Sequence, residues 1–347
     1  MGTVWFVIAA SMIAAYVVLD GFDLGAGIVH FLVAKTDDER ALVLRSIGPV
    51  WDGNEVWLLA GGGVLVLAFP PVYAAAFSGF YLPLMLVLWL LIGRACAIEF
   101  RHQMHGALWT PFWDRVFALS SVLLAVCLGA ALGNVVRGVP LDRTGQFFEP
   151  LWTDFRASGE TGVLDWYTVL VGVAALAALA LHGALWLAVK LEGAVQARAR
   201  SLAAWLVPAV GATALAVTAA SASVQPHILE RLKGQPWILG CAALAVAGLV
   251  GVRVFSRRGD DVKAFASSCA YLAGMLTSAA FSVYPFLLPS NGALGGAGMT
   301  VDDSSSAPYA LSVGLAWWIP GIAIAVAYQV WTYRQFKGKV RAEDGGY

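Results

Sequence analysis

Apolar residues fall in long blocks separated by polar stretches, and nine blocks are long enough to cross a bilayer: about 4–33, 50–70, 74–98, 116–137, 165–189, 201–223, 236–255, 264–288 and 310–332. A bilayer-spanning helix needs about 20 apolar residues, so nine spans of about 22 use roughly 200 positions and leave loops of ordinary length. The pattern predicts an all-α polytopic membrane protein, a single integral-membrane domain over 1–347. Eight spans plus one suit a four-helix bundle over about 4–137, a second over 165–288, a peripheral ninth helix at 310–332 and a tail at 333–347. The first block has no basic segment before it and carries Asp20 and Asp23, which reads as a retained helix rather than a cleaved signal.

Composition supports this and excludes much else. Of the 347 residues 59% are hydrophobic and 13% charged, and the mean hydropathy is +0.74. No soluble monomer could bury so much apolar surface, which removes a soluble enzyme, a secreted disulfide scaffold and a disordered chain. The 22 basic residues are balanced by 22 acidic ones, so no basic field favours nucleic acid. Cys96, Cys127, Cys241 and Cys269 stand singly in apolar blocks and read as small core residues.

Basic residues near span ends stay on the cytoplasmic side. With the nine spans above, 17 of the 22 fall on one side, and only Arg137, Arg143, Arg156, Arg231 and Lys233 on the other. The amino terminus is therefore expected outside and the carboxyl terminus in the cytoplasm. Exterior loops at about 138–164 and 289–309 are polar and expected to be solvated.

Against this background the intramembrane acids need a reason, because a carboxylate at mid-helix costs about 2.5–3.5 kcal/mol on insertion scales. Asp20 and Asp23, three apart, share a helix face, and Gly21 and Gly25 let a neighbouring helix approach closely. Asp52 and Glu55 share a face at the inner end of the second span, with Asn54 between them. Asp52 and Glu55 near the cytoplasm and Asp20 and Asp23 deeper give the order wanted in a proton relay. The alternative is that the acids cap helix ends or pair with Arg and Asn across an interface. No basic residue lies in their own spans, which favours the relay for Asp20 and Asp52. Arg94, Glu99 and Arg101 at the end of the third span suggest a local ion-pair network, with contact to an anionic lipid or cofactor group as the other reading.

Haem iron in a bundle needs His or Met at bilayer depth. His102 and His105 fall in an inner loop, His227 in an outer one, His30 near an inner end, and only His182 well inside. No metal site is expected in this chain. Most Trp residues sit at span ends as interfacial anchors.

The stretches Asp20-Gly21-Phe22-Asp23-Leu24-Gly25, Trp51-Asp52-Gly53-Asn54-Glu55-Val56-Trp57 and Tyr73-Ala74-Ala75-Ala76-Phe77-Ser78-Gly79-Phe80-Tyr81, in this order, resemble subunit II of bacterial cytochrome bd-type quinol oxidases. Arg94, Glu99, Phe100, Arg101 and the run from Gly133 to Pro140 extend the resemblance. It implies a heterodimer with subunit I in the bacterial plasma (inner) membrane, with small single-helix accessory chains, membrane lipid and quinone as further partners. Subunit I would hold two b-type haems, one d-type haem and the main quinol site, and the complex would oxidise quinol and reduce dioxygen to water. The chain alone would be inactive. Asp20 and Asp52 match positions of a proton path and Trp57 a position near a gas route, while relatives can carry an uncharged amide at the position of Glu55. A proton-coupled secondary transporter using the same acids is the rival reading, although such carriers favour interrupted helices in both halves, and here the acid motifs occur only in the first.

Overall fold

A computed structural model describes residues 1–104 and 106–340; His105, Arg341 and the rest of the expected tail lie outside the described residues. The chain is overwhelmingly helical: α1 (Gly2–Leu19), α2 (Gly21–Val33), α3 (Asp37–Ile47), α4 (Trp51–Ala68), α5 (Pro70–Gly79), α6 (Tyr81–Phe100), α7 (Trp109–Arg137), α8 (Trp166–Lys190), α9 (Gly193–Val224), α10 (His227–Gly234), α11 (Leu239–Arg257), α12 (Asp261–Val283), α13 (Val301–Ser304) and α14 (Pro308–Gln335). The antiparallel strands β1 (Phe286–Leu288) and β2 (Met299–Thr300) precede α13.

Among the described residues eight helical stretches are long and apolar enough to cross a membrane: α1 running into α2, then α6, α7, α8, α9, α11 with its leading turn, α12 and α14. These are eight of the nine expected blocks. The remaining one is α4, whose polar start, with Asp52, Asn54 and Glu55, dilutes its apolar character. The backbone passes from α1 to α2 with little interruption. Asp20 keeps right-handed helical angles, its N–H bonds Tyr16 O at 2.8 Å and its carbonyl accepts from Leu24 N at 3.0 Å. The inner loop expected after the first block contains a helix, α3, begun by a capping box in which Thr36 and Glu39 satisfy each other's backbone N–H.

Small residues bring the helices together. Gly25 of α2 lies against Gly183 of α8 so closely that a Cβ on Gly25 would overlap the Leu179 carbonyl oxygen and sit 2.6 Å from Gly183 Cα. Gly129 of α7 meets Gly172 of α8 in the same way. Lipid offers no hydrophobic force between helices, so close backbone packing of this kind carries the association. Helix α8 is thereby the seam joining the amino-terminal helices to α9 and α12.

The loops expected to be solvated keep most of their charged residues exposed, among them Arg143, Asp154, Arg156, Glu160, Asp302 and Asp303, but rest on a buried ionic and apolar base. Arg137, at the end of α7, is buried and donates to Glu149 Oε1 at 2.5 Å, Asn134 Oδ1 at 2.7 Å, Gly162 O at 3.0 Å and the Asp165 carboxylate. Asp165 also caps α8 by accepting from the N–H groups of Tyr167 and Thr168. The 138–164 and 289–309 segments are tied to each other by Val139 N to Pro289 O and Asn291 N to Val139 O, each 3.0 Å, and Leu141, Phe147, Leu288 and Val301 are buried beneath them. One loop acid, Glu149, is neutralised, together with Asp165, by Arg137, which lets this part of the loop fold down. Burial pushes the Glu149 carboxyl above the usual range more than Arg137 and Thr161 pull it back. The four cysteines are free and half-buried, not core residues as expected.

Two outcomes test this packing. Gly25→Ala should abolish accumulation of folded protein in membranes, whereas Gly321→Ala, where a Cβ meets nothing within 4 Å, should not; detergent-extracted yield reads both. Arg137→Met, by leaving Glu149 and Asp165 buried without a counter-ion, should destabilise the protein by about 3–5 kcal/mol, seen as a lowered Tm of the purified protein.

Candidate functional site

Three helical stretches, α1–α2, α4 and α6, converge on one buried guanidinium. Arg94 of α6 donates through Nη1 to Asp20 Oδ1 and through Nη2 to Glu55 Oε2 of α4, both at 2.7 Å. Arg94 and Asp20 are fully buried, and the Glu55 side chain is 23% exposed. The absence of a base in the acids' own helices is thus met from a neighbouring helix. The pairing alternative describes the geometry of Asp20, whose carboxylate is bound and not isolated.

Asp23, one turn on, is also fully buried, and its Oδ2 accepts from Asn54 Nδ2 at 2.8 Å. Asn54 in turn accepts at Oδ1 from Gln329 Nε2 at 2.7 Å and from the Tyr333 hydroxyl at 2.8 Å. Both donors belong to α14, so the helix expected to be peripheral closes the site. Adjacent residues on a helix point about 100° apart, which is how Asn54 reaches α2 and α14 while Glu55 reaches α6. The cluster holds three carboxyl groups, Asp20, Asp23 and Glu55, around one cation. Full ionisation would place unbalanced negative charge in hydrocarbon, so the arrangement is suited to holding a proton.

The other expected residues are placed differently. Asp52 is exposed at the start of α4, at the head of a stripe continued by Val56 and Leu59, which are 52% and 72% exposed. Trp57 is half-buried against the cluster that contains Trp5 and Val64. Arg94 does not form the expected network with Glu99 and Arg101: five residues of helix turn Glu99 about 140° away from it, and Glu99 is half-buried. Arg101 pairs with Asp114 at 2.6 Å and Asp37 at 2.8 Å. Asp114 also meets His30 Nε2 at 3.1 Å and Arg40 at 3.4 Å, a second buried polar cluster where α2 and α6 end and α7 begins, which the sequence reading did not find. Tyr333, Gln329 and Asp114 lie far from the acid motifs in sequence; the polar character of Gln329 within an apolar helix was the available signal.

The two buried histidines are held by hydrogen bonds, His182 through both ring nitrogens and His30 through Nε2 only. His182 has both ring nitrogens engaged, Nε2 with Val18 O at 2.9 Å and Nδ1 with Ser268 Oγ at 2.7 Å, and its ring stacks on Phe265. His30 is held by Asp114. Among the described residues no cluster of His, Cys, Asp or Glu could hold a metal ion.

Residues 1–336 match the family model described as cytochrome bd terminal oxidase subunit II. The chain is 30% identical to a probable cytochrome oxidase subunit 2 of Haemophilus influenzae, over 98% of this chain and 95% of that one. It is 30% identical to the cytochrome bd ubiquinol oxidase subunit 2 of Bacillus subtilis, covering 98% and 97%, and 27% identical to the cytochrome bd-I ubiquinol oxidase subunit 2 of Escherichia coli K12, covering 98% and 95%. Its fold matches a chain of the bd oxidase from Geobacillus thermodenitrificans with a TM-score of 0.76 at 17% identity, over 96% of this chain and 98% of that one. The chain belongs to the cytochrome bd terminal oxidase subunit II family.

Proposed function

We propose that the chain works in the bacterial plasma membrane as subunit II of a quinol:oxygen oxidoreductase, in complex with a haem-bearing subunit I. The haems, two b-type and one d-type, pass electrons from quinol to dioxygen and belong to the partner; what this chain contributes is a proton path. Orientation follows the basic residues, with nine spans, the amino terminus outside and the carboxyl terminus in the cytoplasm. The buried Asp20–Arg94–Glu55 cluster carries the reading, because charges this costly have no purely structural need in a bundle already held by close glycine packing.

Protons enter at the exposed Asp52, one turn of α4 from Glu55. Glu55 shares Arg94 with Asp20, and Asn54 holds Asp23 beside them. Arg94 fixes the two carboxylates it bridges, while Asp23, bonded to a neutral amide, is the group free to carry a proton. Asp52, Val56 and Leu59 form an exposed face that suits cover by subunit I, with Trp57 beside it on a route for dioxygen. Accessory single-helix chains, lipid and quinone are further partners of the complex. A proton-coupled carrier is not favoured, since the acid-rich helices have no counterpart in the second half of the chain and the relatives named above are oxidase subunits.

Co-expressed with its partner, the chain should yield a haem-containing complex that consumes oxygen with quinol; purification alone and colourless would refute the assignment. In that complex Asp20→Asn and Asp52→Asn should each slow oxygen consumption about tenfold or more, within the range of a lost proton-transfer group, with haem content retained. Wild-type turnover in both would remove the relay, and loss of haem together with activity would assign these acids to assembly.

A further inference from the structure

Four buried polar atoms of the site find no hydrogen-bond partner among the described residues: the Tyr16 hydroxyl, Asp20 Oδ2, Asp23 Oδ1 and Arg94 Nε. Tyr16 is 2% exposed and the other three residues 0%. They are neighbours. Tyr16 precedes Asp20 by one turn on the same helix face, its hydroxyl lies close to the Asp20 carboxyl without a formed hydrogen bond, and Arg94 and Glu55 are the other charged groups that act on it. Arg94 already holds Asp20 through Nη1, and Asp23 is the next turn beyond Asp20. Each carboxyl has one oxygen engaged, by Arg94 or by Asn54, and one oxygen free.

The four atoms form a complementary set. Arg94 Nε–H can only donate, the two carboxyl oxygens accept, and the phenol does both. Buried water is held by two to four such partners, and no side chain of the described residues fills the role. We propose that these atoms bind an ordered water between Asp23 and Asp20, and that Tyr16 is the positioning residue that aligns it. The inference rests on the proton path proposed above and names the link between its two deepest carboxyls. In the step, the Asp23 O–H bond breaks and its proton goes to the water oxygen, while one of the water's own protons leaves for Asp20 Oδ2. The water is regenerated, and Asp23 is reprotonated from the cytoplasmic side. The phenol makes no covalent exchange; it fixes the direction in which the water accepts and donates.

The test is Tyr16→Phe in the complex purified with its partner subunit, an exchange that keeps ring and packing and removes one oxygen. Oxygen consumption at saturating quinol should fall about three- to tenfold, the effect of one ordinary hydrogen bond. The ratio of rates in H2O and D2O should rise, with the KM for quinol and the haem spectrum unchanged. A density map of the wild-type complex should show water within hydrogen-bonding distance of the four atoms, weakened or lost in the variant. Wild-type turnover and isotope ratio in Tyr16→Phe would overturn the proposal, as would a fall in rate matched by a fall in haem content. Asp20→Asn measured alongside separates the failures: a slow Asp20→Asn with a silent Tyr16→Phe removes only the water link, whereas silence in both removes the proton path itself.

Discussion

The burial of Arg94 governs the amino-terminal half of the molecule. A guanidinium in hydrocarbon is tolerated only where its donors are met by carboxylates at good geometry, and removing one partner of such a group is far more damaging than never having had it. Asp20 and Glu55 supply those acceptors from two other helices. The relative positions of α1–α2, α4 and α6 are therefore fixed at one depth by one side chain. The close approach of α2 to α8 at Gly25 and Gly183 serves the same end. With no side chain between the backbones, neither water nor lipid reaches the acids from that side.

The same logic is repeated at the carboxyl-terminal end of α7 with different consequences. Arg137, Glu149 and Asp165 also make a buried ionic cluster, but here the acids come from a loop and a helix cap, and the remaining donors of the arginine are met by Asn134 Oδ1 and the carbonyls of Gly138 and Gly162. That cluster is a clasp. The Arg94 cluster holds three carboxyl groups around one cation and leaves Asp20 Oδ2, Asp23 Oδ1 and Arg94 Nε without partners among the described residues, where the Arg137 cluster has two carboxyls and leaves only Glu149 Oε2. The larger excess of acids and the unused donor of the arginine set the Arg94 cluster apart.

The sequence made the helical architecture legible because apolar blocks of bilayer length have few other solutions. Eight of the nine blocks meet the length and hydropathy of a span, and α4 departs because its first turn carries the site's own polar residues. What was not legible were contacts between residues far apart in the chain. Arg94 was matched with Glu99, its sequence neighbour, although a five-residue step turns the two apart and the partners come from α2 and α4. The loops at 138–164 and 289–309 are solvated at most of their charges, but the burial of Glu149 was not legible because its partner Arg137 was counted as a span-end residue. Asn54 was singled out for its capacity to donate and accept, and it does both, but the acceptor side is filled from α14, some 275 residues away in sequence.

The role of α14 follows from that last contact. Most of its surface is exposed, and an isolated helix so placed gains little from packing. Gln329 and Tyr333 nevertheless both donate to the single oxygen of Asn54, and this fixes the orientation of the amide. With Oδ1 saturated by two donors, only the Nδ2 group can face Asp23, so the amide cannot flip to present an oxygen to that carboxyl. A carboxylic acid beside a fixed donor has one oxygen committed and one open, and its proton can sit only on the open one. Helix α14 thus determines, through Asn54, which oxygen of Asp23 is engaged and which is left open.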